Sequence, residues 1–88
     1  MSEQESPIQF PVSFPLKAMG KNVPDFQDTI LNIVRRHVPG DDFESVNSRL
    51  SSGDKYISVT VTFIARSRHQ LDSIYRLLSD QESVLMAL

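Results

Sequence analysis

The sequence predicts an α+β domain, a ferredoxin-like βαββαβ sandwich with a four-stranded antiparallel sheet and two helices on one face. Three observations predict it. Two segments carry apolar residues at helical spacing. Four segments read as strands, one with unbroken alternation. Their order along the chain is strand, helix, strand, strand, helix, strand, which splits into two interleaved βαβ halves with right-handed crossovers.

The 88 residues leave room for one core and no second domain. Residues 1–12 read as an extended tail and 13–88 as the folded domain. In the tail, Pro7 and Pro11 exclude regular helix, and Phe10 is the expected anchor onto the domain. The first strand runs from Ser13 to Met19, with Phe14, Leu16 and Ala18 on one side. Pro15 cannot donate to a mid-sheet ladder, so the regular part is expected to begin near Leu16 and to stop at Gly20.

The first helix carries Phe26, Ile30, Ile33, Val34 and His37 on one stripe. Asn22 is its expected N-cap, with Pro24 in the first turn and Asp25 and Asp28 at the acid-favouring end. Arg35, Arg36 and His37 suit the last turn, and Val38-Pro39-Gly40 stops it. Phe43 to Leu50 is the second strand, Ser51 to Asp54 a turn, and Lys55 to Ala65 the third strand. Ile57, Val59, Val61 and Phe63 alternate there with hydroxyl residues, so one face is buried. Ser67 and Gln70 form a capping box ahead of Leu71, Ile74, Tyr75 and Leu78, the apolar stripe of the second helix. Ser83 to Leu88 is the last strand. The expected core is Phe14, Leu16, Ala18, Phe26, Ile30, Ile33, Val34, Ile57, Val59, Val61, Phe63, Leu71, Ile74, Leu78 and Leu85.

Composition narrows the function classes. The chain has no cysteine, which excludes disulfides, thiol catalysis and Cys-based metal sites. Its acidic start lacks the basic and apolar regions of a signal peptide, and no apolar run reaches the roughly 20 residues that cross a bilayer. A cytoplasmic protein without membrane attachment is expected. The net charge of -2 argues against nucleic acid, because phosphate neutralisation needs a basic excess. The open sheet face would show Lys17, Met19, Tyr56, Ser58, Thr60, Thr62 and Ile64, with only Tyr56 able to stack a base.

No residue is assigned a catalytic role and no metal or cofactor is expected. His37 and His69 lie on helices away from any nucleophile turn. Asp41-Asp42 reads as a solvated pair too small to hold calcium. Arg66, Arg68 and His69 crowd a helix start, against the macrodipole, and read as an exposed cluster. The candidate binding residues surround the loop after the first strand: Lys17, Gly20, Lys21, Asn22 and Asp25. A helix N-terminus with two lysines beside it suits a carboxylate. The last strand, Val84 to Leu88, is apolar on both faces and lies at a sheet edge, which invites weak self-association or partner docking.

Several short stretches resemble the YbeD-like family of small bacterial proteins. They are Phe10-Pro11, Phe14, Lys17, Met19-Gly20, the run Arg36-His37-Val38-Pro39-Gly40-Asp41, the strand Ser58 to Thr62 and the ending Val84 to Leu88. His37, Pro39, Gly40 and Asp41 form the most specific part. The resemblance implies an ACT-like regulatory domain, a module that binds small metabolites at subunit interfaces. It also implies a link to lipoate metabolism through gene neighbourhood, and it carries over no catalytic residue. ACT domains place an Asp/Pro/Gly loop after the first strand; here Gly20, Pro24 and Asp25 occur in a different order. The functional expectation is a non-enzymatic regulatory or adaptor module for a small carboxylate-type metabolite or a protein partner. The alternatives are a pure protein-interaction module and, third, an RNA-binding domain.

Overall fold

The computed structural model describes residues 8–88. Its elements follow the expected order: β1 (Val12–Lys21), α1 (Phe26–His37), β2 (Phe43–Leu50), β3 (Tyr56–Ala65), α2 (Arg68–Ser79) and β4 (Val84–Ala87). All strand pairs are antiparallel and the sheet order is β2-β3-β1-β4. This is the ferredoxin-like arrangement, with α1 and α2 on one face. Among the described residues no helix is long and apolar enough to cross a membrane.

Alternation decides which side of each strand is buried. Leu16 and Ala18 of β1, with Val59, Val61, Phe63 and Ala65 of β3, face the helices and are buried. Phe26, Ile30, Ile33 and Val34 of α1 and Leu71, Ile74 and Leu78 of α2 meet them. Phe14 and Ile57, both expected in the core, lie at its margin and are partly buried. Val38 and Ala65 are buried in addition. Ile8, Phe10 and Val12 pack against this core, so the described part of the tail is anchored as expected. The expected tail residues before Ile8 lie outside the described residues.

Three expectations are corrected. β1 is regular from Val12 through Gly20 to Lys21, and Pro15 sits within it opposite Thr62. The reason is directional. Lys17 exchanges both backbone hydrogen bonds with Leu88, so Lys17, and Pro15 two residues before it, turn their main-chain groups away from β3. Pro15 therefore withholds nothing from β3, and β4 does not reach it. Asn22 is not the cap of α1. The helix starts at Phe26, with Asp25 in the cap position and no side-chain cap bond. Asn22 instead donates its Nδ2 to the Asp54 carbonyl at 2.9 Å, and Pro24 lies in the turn before the helix. Leu85, expected in the core, is 57% exposed. β4 is irregular against β1 between the Met86 and Val84 pairings, which displaces Leu85 from the alternation.

Candidate functional site

The segment His37 to Asp42 builds a corner between α1 and β2. His37 ends the helix, Val38 is buried beneath it, and Pro39 adopts extended geometry. Gly40–Asp42 form one turn of 3-10 helix, closed by the Asp42 N–H donating to the Pro39 carbonyl at 2.9 Å. That turn aims the Asp42 carboxylate inward, where it is only 6% exposed. The Arg66 guanidinium grips it with both arms: Nε donates to Oδ2 at 3.0 Å and Nη2 to Oδ1 at 2.9 Å. Hydrogen bonding from Arg66 holds the Asp42 carboxyl below its ordinary value, against the opposing pull of burial and with the help of the Arg66 charge.

Two readings are corrected here. Asp42 is not a solvated loop acid, although Asp41 is exposed. Arg66 is not part of a free basic cluster, because its fork is committed to Asp42. Gln70 completes the corner. Ser67 Oγ accepts from the Gln70 N–H at 3.1 Å, the cap the sequence indicates. The Gln70 side chain goes further than a capping box: Oε1 accepts from the Arg66 N–H and Nε2 donates to the His37 carbonyl, both at 2.7 Å. Asp42, Arg66 and Gln70 therefore join the end of α1 to the start of α2. The His37, Pro39, Gly40 and Asp41 motif owes its geometry to this joint. Its partners lie 24 and 33 residues apart in sequence, so no local pattern marks them.

The residues around the loop after β1 do not converge. Gly20 is buried, and a Cβ there would meet the Ser83 carbonyl and the Phe26 ring. The close approach that needs glycine is made by the chain itself. Asn22 faces the turn between β2 and β3. Lys21 and Asp25 share a shallow hollow with Val23, Thr29, Gln81, Glu82 and Ser83, which sets one ammonium beside two carboxylates. Lys17 lies elsewhere, at the centre of the sheet face that the helices leave open.

The other prominent hollow, about 540 Å³, runs between α2 and β4. Tyr75, Val84, Leu85, Met86 and Ala87 line it, with Asp72, Arg76 and Ser79 on the helix side. Tyr75 is partly buried, which pushes its phenol above the ordinary value. Of the five large apolar residues exposed among the described residues, Leu85 and Met86 line this hollow, and Leu88 follows them opposite Lys17. Leu88 and Lys17 are a hydrogen-bonded pair. Ala87, one residue before, therefore points its N–H and carbonyl outward, away from β1.

A family model described as "Protein of unknown function (DUF493)" matches residues 5–88. A UPF0250 protein of Paraburkholderia phymatum is 48% identical over 84 residues, covering 96% of this chain and 94% of that protein. A UPF0250 protein of Neisseria gonorrhoeae is 41% identical over 91 residues, covering all of both. Among solved structures, protein HP0495 from H. pylori superposes with a TM-score of 0.73 at 14% identity, covering 97% of this chain and 89% of that one. The C-terminal domain of the MgtC protein from Mycobacterium tuberculosis gives 0.68 at 12% identity, over 92% and 88%. At such identities what these two likenesses show is the fold. The relatives at 41 and 48% identity span nearly the whole chain, and the chain belongs to the DUF493 (UPF0250) family of small bacterial proteins, the YbeD-like family its sequence resembles.

Proposed function

We infer that this protein is a non-enzymatic adaptor that captures an extended segment of a partner protein along the outer edge of β4. The observation that carries this reading is the outward-facing backbone of Ala87 beside the groove between β4 and α2. An added strand takes its main-chain hydrogen bonds from such an edge and drops alternate side chains into the pockets beside it. Val84, Met86 and Tyr75 offer the apolar contacts, and Asp72 and Arg76 on the rim offer charge of each sign to set direction. The family resemblance puts enzymes of lipoate biosynthesis first among the partners to test.

The test is an NMR titration of labelled protein with those purified enzymes and with a pool of short extended peptides. Resonances of residues 84–88 and Tyr75 are expected to shift or lose intensity. Ala87→Pro should abolish this while leaving the melting temperature nearly unchanged, because the Ala87 nitrogen makes no bond to β1. Binding that survives Ala87→Pro, or shifts centred on β2, would overturn the assignment. Self-association in sedimentation that Ala87→Pro removes would identify a second copy as the occupant, and the adaptor reading would give way.

A further inference from the structure

We propose that the open face of the sheet is a binding site for a small ligand carrying two anionic groups, carboxylate or phosphate. The observation is a hollow of about 410 Å³ on that face, lined by Lys17, Asn47, Ser48, Arg49, Ser58 and Thr60. Register brings them together. Lys17 of β1 is opposite Thr60 of β3, which is opposite Asn47 of β2. In the adjoining row Ser58 stands between Met19 and Arg49. Lys17 and Arg49 are therefore about 10 Å apart across the sheet and about 7 Å along it, by ordinary strand spacing. Side chains of their length converge over the hydroxyls and the amide between them.

The chemistry of this lining is one-sided. The side chains of Lys17, Asn47, Arg49, Ser58 and Thr60 share this face, all can donate a hydrogen bond and none is a carboxylate; Ser48, opposite buried Val59, turns its side chain to the other face. Arg49 offers a planar fork for two oxygens of one anionic group, and Lys17 a point charge for the other. The open-side strand positions carry three cations, Lys17, Lys21 and Arg49. The acid beside them, Glu44, accepts a bond from Ser13 toward the opposite end of β1. This concentration occurs in a chain whose net charge is -2, so it is a local property of the face and not of the composition.

Size and lining identify the occupant as a small molecule. The volume lies at the low end of metabolite pockets, roughly 300–1,000 Å³. A protein partner anchors on aromatic and apolar side chains, and a single-stranded nucleic acid on stacking aromatics. The hollow contains neither. The site is distinct from the β4 edge, and the two stand or fall separately.

The experiment is an NMR titration of the full chain with succinate, citrate, inorganic phosphate and pyrophosphate in turn. Saturable shifts are expected at Lys17, Asn47 to Arg49, Ser58 and Thr60. Comparing the carboxylates with the phosphates identifies the preferred anion. Lys17→Gln and Arg49→Gln should each weaken binding about tenfold or more, the loss of one charge-assisted contact. Arg49→Lys, which keeps charge but loses the fork, should fall between. Both positions are exposed, so melting temperatures should not change. No saturable shift at about 10 mM of any probe, a range far weaker than useful metabolite affinity, would overturn the proposal. So would shifts that persist in the double variant, or shifts at these residues produced only by an acidic peptide or polyuridylate.

Discussion

Asp42 shows how much one buried carboxylate organises. Its carboxyl has an ordinary value of 3.8 and is held lower in the fold by Arg66. A carboxyl whose value falls on folding adds stability above the unfolded value and loses it as pH drops through the folded one. Asp42→Asn should therefore melt below the natural protein at pH 7, and the gap should close as pH falls below about 4. A gap that stays constant down to pH 2 or so would mean that the Arg66 bond does not depend on charge. Gly20 makes the second argument at this scale. Gly20→Ala pushes a methyl against the Ser83 carbonyl and the Phe26 ring. Overpacking of this kind costs about 1–3 kcal/mol, and each kcal/mol lowers the melting temperature of so small a domain by about 4–8 °C. An unchanged melting temperature would return Gly20 to the role of a ligand-facing residue. The sequence marks Gly20 as the end of the first strand and a candidate binding residue. That Ser83 approaches it was not legible, because Ser83 arrives from the far end of the chain.

At the level of elements, β3 is the centre of the sheet and the strongest test of register. Val61 is fully buried beneath the helices, while its neighbour Thr62 faces the open side. Val61→Asp buries an unpaired carboxylate at a cost of several kcal/mol, a large share of the roughly 5–15 kcal/mol that holds a domain together. Circular dichroism should find it unfolded. Thr62→Asp should cost about 1 kcal/mol or less, the scale of strand preference. Similar melting of the two would overturn the assignment of faces. Period-two alternation made β3 legible, and the apolar stripes with their end charges made both helices legible. Alternation failed in β4, where an irregularity moves Leu85 out to solvent. The true start of α1 was hidden for another reason. Asn22 and Pro24 are good helix-start residues, yet the Asn22 amide is drawn to a carbonyl 32 residues away.

For the whole molecule, the order of elements was enough to fix the topology, because interleaved βαβ halves have few right-handed solutions. The sites were less legible for a physical reason. Lys17 and Arg49 belong to different strands and come to line one hollow only once β3 is laid between them. Asp42 and Arg66 meet only when the corner after α1 closes against the start of α2. Sequence shows the chemistry of each group; the fold supplies its neighbour.

Pro15 has a consequence for the protein in a crowded solution. Among the described residues no strand covers the outer edge of β1 beyond Lys17, and an uncovered edge can nucleate cross-β stacking between molecules. Proline at the next outward position removes the N–H that a stacking chain would seize. The same flank of the sheet thus has the outward-facing backbone of Ala87 at β4 and an inert half at Pro15, so the docking proposed for β4 and resistance to aggregation are compatible on one edge.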